Sequence, residues 1–289
     1  MLPIYQILLI GLIAFVISIL GNIAGFGGGI FLVPSLIVIF SIAAEVAVAT
    51  VLTALFFPAL LGTIGAWKRN QVDLRFGLIF GIPSAMGTFV GAMSIHQIKE
   101  TIVIILIGIL ALFFGVRMIV QYLIDRKKEK NNEKPTQESA ILTFLGKIKP
   151  LYKIHNGEFI HDISLTVVFL LGLAVGVISG LFGISGGWIQ VPIFVLLFRI
   201  DPLKASGTSL FIIVMKTFVG GLTYVVRSFV TELQIDWYIL LILAVTLLLG
   251  AFIGHWIKGK IEGKHLTLIT GFIILIVGIF TILSVIFNW

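Results

Sequence analysis

Apolar residues in this chain fall in runs long enough to cross a lipid bilayer, with polar residues gathered between the runs. A spanning helix needs about 20 mostly apolar residues. Runs of that order occupy 2–23, 44–66, 74–95 and 100–123 in the first half, and 163–182, 204–226, 237–257 and 265–288 in the second. Each predicts a membrane helix. Two shorter apolar pieces, 30–41 and 188–199, follow glycine-rich breaks. At about 1.5 Å per residue each covers roughly 18 Å, short of a hydrocarbon core about 30 Å thick. They predict half-helices, either re-entrant or completed to full spans by extended chain. The first run has no basic residue ahead of it and no small-x-small cleavage site at its end, so it is expected to stay as a span.

The same pattern occurs twice. Gly25-Phe26-Gly27-Gly28-Gly29-Ile30-Phe31-Leu32-Val33-Pro34 returns 158 residues later as Gly183-Ile184-Ser185-Gly186-Gly187-Trp188-Ile189-Gln190-Val191-Pro192. At that offset Ala47 meets Ala205, Thr50 meets Thr208, Gly62 meets Gly220 and Arg69 meets Arg227. After a five-residue insertion the offset becomes 163, and Asp73 meets Asp236, Gly87 meets Gly250, Gly91 meets Gly254, Gly108 meets Gly271 and Gly115 meets Gly278. One register held over so many glycines is a duplication, and internal repeats decide a fold reading. The expected architecture is an all-α, polytopic transmembrane protein with two repeats of about five membrane segments each and glycine-rich broken helices. Residues 1–124 form repeat one, 125–162 a basic linker loop and 163–289 repeat two. The linker opens with the charge run Asp125-Arg126-Lys127-Lys128-Glu129-Lys130, and 139–154 is expected to form a short amphipathic surface helix.

Composition agrees with lipid as the solvent: 59% of residues are hydrophobic and 11% charged, with a mean hydropathy of +1.17. A soluble chain carries about a quarter charged residues. The formal charge of +7 does not point to nucleic acid, because the basic residues sit in short stretches between apolar runs, as they do on the cytoplasmic side of membrane proteins. Five crossings per half make the second repeat start on the opposite side from the first, an inverted topology. With the 125–162 loop in the cytoplasm, Lys68, Arg69, Arg75, Arg199, Lys204, Lys258, Lys260 and Lys264 also fall inside, and both termini fall outside. Four crossings per half would put Arg199, Lys204, Lys258, Lys260 and Lys264 outside, against that rule. The expected location is therefore the plasma (cytoplasmic) membrane, multi-pass. Cysteine is absent, which excludes disulfides and thiolate chemistry.

Candidate chemistry follows from the breaks. Interrupting a helix frees amide groups that lipid cannot satisfy, so they must line protein or water. A half-helix start offers free N–H groups and a positive dipole end, which favour an anion. Matched interruptions in inverted repeats point to a transporter's binding site. The candidate binding residues are Gly25, Gly27, Gly28, Gly29 and Pro34 with Thr50, and Gly183, Ser185, Gly186, Gly187, Gln190 and Pro192 with Thr208. Asn22, Ser35, Thr53, Ser206 and Ser209 lie nearby in sequence. Isolated glycines such as Gly87, Gly91, Gly108 and Gly115 are expected only to let helices pack closely. Lys216 joins the candidate set. It lies mid-span in Ile212-Ile213-Val214-Met215-Lys216-Thr217-Phe218, roughly 16–18 Å from either end of its run, too far to snorkel. Its repeat partner is Pro58, so the charge is not demanded by the fold. No His, Asp or Glu cluster has metal-ligand spacing, and no ATP-binding, hydrolase or dinucleotide motif occurs in a credible context. Neither cofactor nor catalytic residues are expected.

Gly25–Leu36 (GFGGGIFLVPSL) and Gly183–Phe194 (GISGGWIQVPIF), each closing a first hydrophobic segment, resemble the sulfite exporter TauE/SafE family. The resemblance runs over nearly the whole chain apart from the central loop. It implies a secondary permease for a small sulfur-containing anion, sulfite or an organosulfonate, working by alternating access with an ion or proton gradient. It carries over to the two breaks with Pro34 and Pro192; Ser185 departs from the glycine at Gly27, and nothing in the family pattern bears on Lys216. A passive anion channel and a non-transporting scaffold or sensor are the alternatives. The sequence leaves homo-oligomerisation open.

Overall fold

The computed structural model describes residues 4–25, 27–94, 100–130, 150–156, 159–231, 235–258, 260 and 263–286. In the first half α1 (Ile4–Ala24), α2 (Gly29–Val38), α3 (Ala44–Ala54), α4 (Phe56–Lys68), α5 (Leu74–Ser94) and α6 (Glu100–Lys130) follow one another. A hairpin of β1 (Leu151–Asn156) and β2 (Phe159–Ser164) leads into the second half. There α7 (Leu165–Phe182), α8 (Gly187–Pro192), α9 (Pro202–Val230), α10 (Trp237–Lys258) and α11 (Gly263–Ile286) repeat the order, and α8 runs on as a π-helical turn, Ile193–Leu197. Seven helical stretches among the described residues are long and apolar enough to cross a membrane, α3 and α4 counting as one.

The α3–α4 interruption has a covalent cause. Pro58 has no N–H to donate to Ala54, the last residue of α3. The equivalent position in α9 is Lys216, which has its N–H, and α9 is continuous over 29 residues. Pro192 likewise withholds an N–H one turn into the second half-helix, where the backbone loosens into the π turn.

Glycine contacts give the direction of each helix pair. A Cβ added at Gly221 would lie 3.2 Å from Thr53, and one at Gly207 would lie 3.2 Å from Ala66, so α9 runs antiparallel to α3–α4. Gly115 faces Leu275 and Gly108 faces Ile282, so α6 and α11 are antiparallel too. Gly172 meets Phe80 and Gly180 meets Ala92, making α5 and α7 parallel; Gly11 meets Thr246 and Gly254 meets Asn22, making α1 and α10 parallel. Thus the first helix of each half packs on the fourth of the other, third on third and fifth on fifth. The third and the fifth helices therefore run antiparallel to their counterparts in the other half, as they would in two inverted copies.

The outward faces are apolar: Leu12, Phe89, Leu170, Phe218, Phe252 and Ile276 are all exposed. A belt of that kind fits lipid rather than water. Trp67, Trp237, Tyr238 and Trp256 are exposed at helix ends, where interfacial aromatics sit.

The linker differs from expectation. Residues 151–154 belong to β1 rather than to an amphipathic helix, with Leu151 opposite Ser164 and Asn156 opposite Phe159 in an antiparallel register; 139–149 lie outside the described residues. Tyr152-Lys153-Ile154-His155 alternates apolar and polar residues with period two. Over so few residues that alternation outweighs a helical reading.

Candidate functional site: two glycine breaks meeting at the centre

Both breaks are built the same way. Gly25, Gly27 and Gly28 have φ of 84°, 76° and 89°, and Gly183 and Gly186 have φ of 63° and 69°. Side chains rarely tolerate that left-handed region, so glycine is needed there. The amides of Gly25 and Gly27 both donate to Gly21 O, at 2.9 and 3.2 Å, turning the chain back beside α1. Gly28 then faces Ile17, and Gly29 faces Leu55 at the α3–α4 interruption. From there α2 runs back along α3, and Ile42 N donates to Leu36 O as α3 approaches. The helix that follows the break, α2, has 10 residues and is about 15 Å long.

The breaks enter from opposite ends of the molecule and touch in the middle. Gly25 lies against Ser206, in the first turns of α9. Its equivalent, Gly183, lies against Val48, in the first turns of α3, with 2.8 Å from an added Cβ to the Val48 Cα. Between them a Cβ at Gly27 would stand 3.3 Å from Ser185 Cβ, and one at Gly29 would stand 2.9 Å from Gly183 O. Gly27 and Ser185 are repeat equivalents, so the two-fold axis passes between them. The residues on both sides of the contact are buried.

Lys216 lies beside this contact. It is 0% exposed, its Nζ sits 2.5 Å from where a Gly186 Cβ would be, and that nitrogen has no hydrogen-bond partner or ion pair among the described residues. An uncompensated ammonium at this depth costs at least about 2.5–3.5 kcal/mol. Gln190 is also fully buried; its Oε1 accepts from Ser209 Oγ at 3.2 Å, while its Nε2 has no partner among the described residues. The Nε1 of Trp188 is unpartnered likewise. Trp188 and Gln190 lie in α8 and Lys216 beside its start, each with a donor unpartnered among the described residues.

The remaining candidates divide. Thr50 is buried with a free hydroxyl among the described residues. Its match, Thr208, accepts from Asp73 N at 2.9 Å and so anchors the start of α5. The pair is equivalent in sequence and different in role. Ser185 touches Gly27 across the axis. Pro34 and Pro192 fall within α2 and α8. Asn22 donates to Ser18 O, and Ser35 and Thr53 bond back to their own helices. Among the described residues no group of three or more His, Asp or Glu is placed to hold a metal.

Sequence reasoning missed Lys258, placed among the cytoplasmic end charges. It is 0% exposed, and its Nζ donates to Ser206 Oγ at 2.7 Å. The serine comes from α9, so no local pattern could have revealed the burial. Arg227 and Glu45 form a 2.8 Å ion pair between α9 and α3.

The sequence is similar to those of several known proteins. The probable membrane transporter protein YunE of Bacillus subtilis (strain 168) is 27% identical over 94% of both chains. Probable membrane transporter protein YdhB of the same organism is 25% identical over 86% of this chain and 88% of its own. Probable membrane transporter protein MJ0441 of Methanocaldococcus jannaschii is 24% identical over 94% of each. No solved structure matches the chain. The family model described as sulfite exporter TauE/SafE matches residues 10–281, so this membrane protein belongs to the TauE/SafE family, a family of membrane transporters.

Proposed function

We propose that this chain is a secondary permease for a small oxyanion, sulfite or an organosulfonate, working by alternating access in the cytoplasmic membrane. The observation that carries the reading is Lys216, a buried cation without a partner, set against the second glycine break. An oxyanion would supply the missing countercharge and accept from the Lys216 ammonium. Break amides other than those of Gly25 and Gly27, which are spent on Gly21 O, would add neutral donors where hydration has been stripped away.

The contact between Gly27 and Ser185 is then the occluded state. Parting the breaks toward one end or the other would open the solute's route to one side at a time. No ATP-binding motif occurs in the sequence, so an ion gradient, a proton gradient or the solute's own gradient would drive the cycle. Positive-inside counting places the α9 N-terminal end and the 125–162 loop in the cytoplasm and both termini outside.

The test is flux of sulfite and short sulfonates in proteoliposomes. Lys216→Met removes the charge at similar length, and flux is expected to fall at least tenfold while insertion and monodispersity persist. Undiminished flux in that variant would remove Lys216 from the solute's path, and absence of saturable sulfite or sulfonate flux in the unaltered protein would remove the permease reading.

A further inference from the structure

Each break has a buried lysine beside it, although the two lysines are not repeat equivalents. Lys216 on α9 stands at the second break. Lys258, the last residue of α10, reaches the first break through Ser206, whose side chain occupies the space a Cβ on Gly25 would fill. The repeat partner of Lys258 is Ile95, and that of Lys216 is Pro58. Two cations have thus been added to the same kind of feature from unrelated positions. Neither is required by the fold.

The surroundings of Lys258 suit an anion. One N–H of the ammonium is spent on Ser206, which leaves two. Arg69 comes from α4 to the same end, its Nη1 donating to His255 O at 2.9 Å. His255 packs against Gly65, and its Nδ1 has no partner among the described residues. The carboxylates at this end are committed elsewhere: Asp73 Oδ1 accepts from Phe76 N, and Asp201 Oδ1 accepts from Leu203 N and Lys204 N. The opposite end is neutralised. There Arg227, the repeat partner of Arg69, pairs with Glu45 at 2.8 Å and donates to Ala92 O at 2.7 Å. Among the described residues the Arg227 pair is the sole salt bridge.

We infer that Lys258, with Ser206 at the first break, forms a second subsite for the transported oxyanion, serving the α9 N-terminal end of the path. This rests on the anion-permease reading and extends it. Ser206 and Lys216 are ten positions apart on one helix, about 15 Å along its axis, so an anion would pass between two cationic stations rather than dwell on one. Two moderate sites permit both capture and release.

The experiment is zero-trans sulfite flux measured separately from each face of proteoliposomes with known protein orientation. Lys258→Gln is expected to raise KM about tenfold from the α9 N-terminal face and to leave KM from the other face within twofold. Lys258→Arg, which keeps the charge, should recover most of the affinity. An unchanged KM from both faces, or an equal rise on both, overturns the second subsite while leaving the permease reading intact if Lys216→Met still stops flux. Full flux in Lys216→Met with a one-sided KM change in Lys258→Gln supports the Lys258 site and removes the Lys216 one. If Lys258→Gln fails to fold, Ser206→Ala removes the shared hydroxyl and should raise KM from the same face. Absence of saturable flux or binding in the unaltered protein, for sulfite and sulfonates alike, overturns both.

Discussion

At the scale of single residues the breaks are set by backbone angles. Gly28 holds φ 89°, a conformation that costs a residue with a Cβ about 1–2 kcal/mol. An added Cβ would also come 2.8 Å from Ile17 Cγ2. Gly28→Ala should therefore lower stability by about 1–3 kcal/mol, read as a fall in the thermal midpoint in detergent, and should slow flux further by tilting the start of α2. A midpoint equal to that of the unaltered protein would show that the left-handed turn relaxes freely. These glycines stand out in the sequence because so few residue types can replace them, and Lys216 stands out because a charge in an apolar run needs a polar cavity or partner. Thr208 and Lys258 were not legible. Their roles depend on Asp73 and Ser206, partners that lie far away in the chain, and nothing within a helical turn of either residue announces them.

At the scale of elements, close packing of backbones joins the two halves. Along the α5–α7 interface the Cβ of an alanine at Gly176 would run into Ser84 O and stand 2.9 Å from Ser84 Cα; at Gly91 it would stand 2.9 Å from Leu181 N. In lipid no hydrophobic force draws helices together, so small residues that let backbones approach provide much of the association. Gly176→Leu should separate α5 from α7 and cost more than the 1–3 kcal/mol usual for overpacking, because the clash is with main chain that cannot rotate aside. Leu170→Ala, on the outward face of α7, should stay within about 0.5 kcal/mol. Heating both variants in detergent and measuring the monodisperse fraction checks the contrast; equal losses would mean that α5 and α7 are held by something other than this seam. Isolated glycines were legible as packing positions, and the spans were legible from run length. The interruption at Leu55 was legible only in its cause, Pro58, since a proline inside an apolar run kinks some helices and divides others.

At the scale of the whole molecule the two-fold arrangement brings Gly27 and Ser185 face to face, and this closure makes a direct test possible. An ideal Cβ at Gly27 lies 3.3 Å from Ser185 Cβ, close to the Cβ separation of about 3.5–4.5 Å that a disulfide spans. The chain contains no cysteine, so Gly27→Cys with Ser185→Cys introduces the only pair that can oxidise. Such a bond would join the first break to the second and hold the occluded state. If transport requires the breaks to part, oxidation should suppress flux at least tenfold and a reductant should restore it, whereas neither single variant should respond to the redox state. The duplication and its opposed orientation could be read from register and charge, because repeats and basic loops leave linear traces. The meeting of the breaks could not, since it depends on first helices packing on fourth helices across the halves. A cross-link that forms in high yield and leaves flux untouched would mean that solute passes elsewhere, and the centre of the molecule would then be a hinge rather than a path.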